Sequence, residues 1–78
     1  MDEKEWTLAD VAIFPTPGKD GVTVRHLHTG RAVHIDNVEI NSEIIRGAPV
    51  MPGFQADRRN AAAVRLAWRQ VSERESDR

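Results

Sequence analysis

The chain reads as a small α+β fold, a three-stranded antiparallel sheet with a C-terminal amphipathic helix packed on one face. Three stretches predict this. Val22 to Ile35 carries two short alternating runs that turn back on each other at Thr29-Gly30. Val11 to Phe14 is a compact apolar run, closed by Pro15-Thr16-Pro17-Gly18, which can continue neither a helix nor a central strand. From about Asp57 to Glu73 no glycine or proline intervenes, and Ala61, Ala62, Ala63 and Ala67 favour a helix.

The first element is expected as a strand with its core at Val11 to Phe14. Leu8, Ala9 and the acids before them could alternatively form a helical turn capped by Thr7. Lys19-Asp20-Gly21 follows as a turn, since Asp-Gly supplies the positive φ that a reversal needs. In the hairpin, a two-residue loop at Thr29-Gly30 pairs His28 with Arg31, His26 with Val33, Val24 with Ile35 and Val22 with Asn37. One face then gathers Val22, Val24, Val33 and Ile35. Thr23, Arg25, Leu27, Ala32, His34 and Asp36 take the other, as in a sheet with one wet side. Thr29 fits a two-residue loop poorly, so a three-residue loop with Gly30 left-handed is the alternative.

Val38 and Ile40 extend the alternation and are expected as a third strand. It runs into a short helical turn over Asn41 to Arg46, with a cap at its front and Gly47 as its stop. Ala48 to Gly53, with prolines at 49 and 52, is an extended connector. The last helix takes Asp57 as its N-cap. Ala61, Val64, Trp68 and Val71 form its apolar stripe, widened by Ala63 and Ala67, and Leu66 falls outside it near Ala62 and Gln70. The sequence organises as one domain over residues 1–78, whose polar tail, Ser72 to Arg78, is expected to fray.

At 78 residues, 40% apolar and 29% charged, the composition is that of a folded chain with a small core. Such a core supplies only about 3–5 kcal/mol unless disulfides, metal or oligomerisation add to it. The absence of cysteine removes disulfides, thiolate metal sites and thiol nucleophiles, and fits a cytoplasmic setting. MDEKEW lacks the basic start and apolar run of a secretion signal, and no apolar stretch approaches the roughly 20 residues of a membrane span.

The net charge of −1 gives no global pull towards nucleic acid or anionic lipid. Residues 1 to 20 hold five acids against two lysines, and residues 54 to 78 hold six arginines against four acids. Nine of the eleven basic residues are arginine, which suits an interface built on planar, bidentate pairing, although coding bias accounts for the same count.

His26, His28 and His34 invite a metal or proton-transfer reading, but the two-residue-loop register puts His34 on the face away from His26 and His28. In the three-residue register His26 and His34 would share a face, with Asp36 or Glu39 near. The favoured reading places His26 partly buried and leaves His28 and His34 in solvent. Ser42, Ser72 and Ser76 stand in no nucleophile elbow, and no glycine-rich phosphate loop appears. No catalytic residue, cofactor or metal ligand is expected, and the two tryptophans read as core or rim packing.

What remains is surface. Arg58, Arg65 and Arg69 fall on one side of the last helix, away from its stripe, and read by default as a solvated face. Leu66, with Met51 and Phe54 in the connector, would form an apolar patch of the kind that marks a protein interface if exposed, whereas Phe54 folded under the helix start would close the core. These six residues are the expected interaction surface of a non-enzymatic protein with a protein partner. A homodimer is one such form, because the chain's own core is small. The length is common among accessory proteins of phages and mobile elements. The alternative is a nucleic-acid module using the helix arginines with Arg25, Arg31 and His34 on the open sheet face.

Overall fold

The structure, a computed structural model, describes residues 4–47 and 55–76; side chains are described over 4–47 and 58–73. A 3-10 turn at Leu8–Asp10 leads into strand β1 (Val11–Pro15), followed by β2 (Val22–His26), β3 (Ala32–Ile35), helix α1 (Asn37–Arg46) and helix α2 (Gln55–Ser76). The three strands form one antiparallel sheet in the order β1-β2-β3, and α2 packs against it, which is the expected α+β architecture.

Both readings of the first segment hold in succession. The Asp10 carboxylate accepts hydrogen bonds from the Thr7 backbone N–H at 3.0 Å and the Thr7 hydroxyl at 2.9 Å, closing the turn before the strand starts. β1 is an edge strand, where Pro15 removes no ladder hydrogen bond from a central position. In the β1–β2 connection Gly21 has a φ of +110°, and an added Cβ would lie 2.2 Å from the Ile35 carbonyl oxygen, so no other residue fits there.

The hairpin keeps its expected faces but not its expected register. Val22 pairs with Ile35, Val24 with Val33 and Arg25 with Ala32, and the His26 N–H reaches the Arg31 oxygen at 2.7 Å. The loop is therefore four residues, Leu27 to Gly30, and the pairing is displaced by two positions from the two-residue-loop register. A two-residue shift preserves the side on which every residue lies. The longer loop leaves Gly30, at φ +76°, as its single positive-φ residue and relieves Thr29 of a conformation that its branched Cβ disfavours. Thr29 binds the preceding strand instead, its hydroxyl 3.0 Å and its N–H 3.2 Å from His26 Nδ1. An amide N–H can only donate, so Nδ1 accepts and the neutral ring carries its proton on Nε2.

Val24 and Ile35 are fully buried on the covered face of the sheet, with Val11 and His26 beside them. His26 stacks on Trp6 at 4.8 Å, and Trp68 approaches Trp6 at 6.3 Å, so both tryptophans serve packing. On the other face Thr16 Oγ1 lies 2.7 Å from Thr23 Oγ1 and 2.8 Å from His34 Nδ1. His34 is thus half-buried and hydrogen-bonded rather than solvated as expected, because the β1–β2 connection brings Thr16 beside it.

The expected third strand at Val38 to Ile40 is a helix. In a strand the two side chains would share a face and a degree of burial; here Val38 is 72% exposed and Ile40 is 1% exposed, as residues 200° apart on a helix should be. The start of the helix is set one turn earlier than expected. Asp36, in extended conformation, accepts from the Glu39 N–H at 2.8 Å and caps α1, while Gly47 at φ +118° ends it as anticipated.

α2 also outruns its expected bounds. It begins at Gln55, so Asp57 lies inside it and is no N-cap, and it continues to Ser76 past the expected fraying point at Ser72. Its buried arc is wider than the sequence stripe. Ala62 is fully buried and Leu66 is half-buried against the core, because α1 packs beside the arc that the sheet does not cover.

Candidate interaction surface

Two helices side by side create the features on which a partner could act. α1 turns Ile40, Glu43 and Ile44 inward, and on the opposite side carries Val38 and Ile45, 72% and 85% exposed. At 100° per residue these two lie within about 20° of each other and two turns apart, so one partner surface can touch both. Among the described residues neither joins the core cluster.

The arginines of α2 point the other way in functional terms. Glu43 on α1 is 2% exposed, and its Oε2 lies 3.3 Å from Arg69 Nη2 and 3.5 Å from Arg65 Nε. Arg65 Nη1 also donates to the Gly47 carbonyl at 3.5 Å, and Arg59 Nη2 donates to Asn37 Oδ1 at 2.8 Å. Asn37 in turn donates to Asp20 in the β1–β2 connection. Three arginines thus fasten α2 to both ends and the middle of α1. Arginine abundance does mark an interface in this molecule, but an internal one.

Of the expected surface residues, Arg65 and Arg69 are brought together by Glu43, and Leu66 lines the adjacent groove. Arg58 stands apart, half-buried, its Nε enclosed without a hydrogen-bond partner among the described residues. Met51 and Phe54 lie outside the described residues. Val38, Ile45 and Glu43 were not expected. A period of 3.6 read from Asp36 onward would have placed Val38 and Ile45 together opposite Ile40, but the alternation of Val38 with Ile40 suggests a strand equally well. Nothing local marks Glu43 as buried.

Between the helices runs a groove of about 320 Å³, with Val38 and Leu66 as apolar wall and Glu39, Glu43, Arg69 and Glu73 among its polar lining. A second depression of about 380 Å³ lies between Trp6 and α2, flanked by Leu8 and Val64. Among the described residues no three histidine, aspartate or glutamate side chains cluster to hold a metal ion. His26 and His34 lie on opposite faces of the sheet, since their partner positions alternate along the register. No helix of the described residues is long and apolar enough to cross a membrane.

Comparison of the chain with protein-family models, with curated proteins and with solved structures finds no match.

Proposed function

We propose that the protein is a non-enzymatic, cytoplasmic interaction module that binds a protein partner, a second copy of itself included, through the outer side of α1. The observation that carries this reading is the pairing of Val38 and Ile45 on the helix surface opposite the core. Branched aliphatics at such exposure gain free energy only when something covers them, at about 25 cal/mol per Å² removed from water. The half-buried Leu66 extends the apolar surface across the groove. The cysteine-free composition supports the cytoplasmic assignment.

The nucleic-acid alternative loses support where it was strongest. Arg65 and Arg69 hold Glu43, so releasing them to phosphates would strand a buried carboxylate.

Two variants test the proposal. Val38→Asp places a carboxylate in the first turn of α1, where the helix dipole favours it, so the fold is retained while the apolar surface is broken. Sedimentation at several concentrations reads self-association, and immobilised protein reads capture from extracts of the source cells. Binding by the wild type should fall about tenfold or more with Val38→Asp and with Ile45→Asp, and should vary little with salt. Equal binding by both variants, or binding that collapses steeply with salt and enriches nucleic acid, refutes the proposal.

A further inference from the structure

We propose that the partner on the outer side of α1 is a second copy of this chain, its own α1 laid antiparallel against the first about a two-fold axis. This rests on the protein-binding reading above and names the partner of that same surface.

The helix is self-complementary. Val38 and Glu39 lie in its first turn and Ile45 and Arg46 in its last, and all four are exposed. At 100° per residue Val38 and Ile45 fall within about 20° of each other, and so do Glu39 and Arg46, roughly 80–100° round on one flank. An apolar ridge thus runs beside a charged one, with its acid at the N-terminal end and its base at the C-terminal end. A two-fold axis normal to the plane of two antiparallel helices reverses their direction and keeps each flank on its own side. Val38 of one copy then meets Ile45 of the other and Glu39 meets Arg46, each contact being made twice. Parallel pairing would set glutamate against glutamate and arginine against arginine, so charge selects the antiparallel form.

The rest of the helix agrees with this. Asn41 and Ser42, both exposed, sit between the two apolar layers and are too short to hold the helices apart. The ion pairs of the described residues engage Glu43 with Arg65 and Arg69, leaving Glu39 and Arg46 for a partner. Antiparallel packing also sets the positive end of each helix dipole beside the negative end of the other. Size limits the strength. Ten residues make a helix about 15 Å long, which covers less than the roughly 800 Å² per partner of a stable dimer. The dimer should therefore be weak and reversible, with a Kd on the order of 0.1 mM.

The first test uses the wild-type chain, half isotope-labelled and half unlabelled, at about 1 mM. Within one helix Val38 and Ile45 are about 10 Å apart, beyond the reach of a methyl–methyl NOE. Isotope-filtered cross-peaks from Val38 methyls of one copy to Ile45 methyls of the other are expected. Cross-peaks joining Val38 to Val38 and Ile45 to Ile45 instead overturn the antiparallel arrangement. Charge variants, their folds checked by circular dichroism, give the second test. In sedimentation at low salt, Glu39→Arg alone and Arg46→Glu alone should each weaken self-association about fivefold, because each sets like charges together twice. An equimolar mixture of the two should regain wild-type affinity, since every crossed pair is then opposite in sign. Single variants that associate as the wild type does, or a mixture as weak as its components, overturn the crossed pairing; if a variant does not fold, the NOE measurement decides. A wild type that stays monomeric at every concentration overturns the second copy as partner. Capture from extracts that is lost with Val38→Asp would then still uphold the broader reading, and capture unchanged by that variant sinks both.

Discussion

The two helices of this protein distribute charge in opposite ways. α1, ten residues long, buries a glutamate and shows two branched aliphatics to solvent; α2, twenty-two residues long, buries alanines and valines and folds its exposed arginines back onto its neighbour. The exposed arc of α2 satisfies an internal acid, whereas Val38 and Ile45 on the exposed arc of α1 join no core cluster among the described residues. A stripe of arginines on a helix therefore says little about ligands until the element packed beside it is known. Apolar residues on the far side of a short, well-capped helix say more.

That contrast can be broken from the inside first. Ile40→Ala removes the inward anchor of α1, a residue 1% exposed, and should cost about 2–5 kcal/mol in urea unfolding. A loss below about 1 kcal/mol would mean that α1 is not held by its inner face.

The Glu43 cluster should come next. Glu43→Ala strands Arg65 and Arg69, but their side chains are 43% and 44% exposed and can rehydrate, so the expected loss is about 1–3 kcal/mol rather than that of a fully buried pair. Glu43→Leu should recover part of it, since an apolar side chain leaves no buried carboxylate.

On the outer side the expected effect on stability is small. Val38→Asp should lie within about 0.5 kcal/mol of the wild type in the same urea experiment, even as it weakens partner binding. A large loss would show that Val38 supports the fold and would erase the contrast between the two sides of α1.

The smallest effect lies outside both helices and serves as their control. Hydrogen bonds from the Thr7 side chain, then from the Thr7 backbone, hold the Asp10 carboxyl below its ordinary value. A lowered folded-state pKa means that the native form binds fewer protons, so the contribution is present above the ordinary carboxylate value and fades as pH falls through the folded one. Asp10→Asn should lower stability slightly at neutral pH, leave the acid end unchanged and so flatten the limb between them, with the helix contrast untouched.

Local rules made several features legible. Proline and glycine punctuation bounded β1, Gly47 marked the end of α1, and alternation assigned Val24 and Ile35 to the covered face even though the register moved, because a displacement of two residues returns every side chain to its own side. Unbroken helix propensity announced α2 but not its ends, which neither Asp57 nor Ser72 sets. The Val38 to Ile40 stretch misled because two residues at spacing two fit either period; the Asp36 cap, closed by a single hydrogen bond to Glu39, selects the helix.

By itself, then, the chain determined its strand faces, its principal helix and the lack of any cysteine chemistry, since these follow from side-chain period, backbone propensity and composition. Tertiary structure alone decided that His34 meets Thr16, that arginines of α2 converge on Glu43, and that Val38 and Ile45 are left uncovered. The reason is separation along the chain. His34 and Thr16 are 18 residues apart and Arg69 and Glu43 are 26, distances over which no local rule operates and only packing brings groups together.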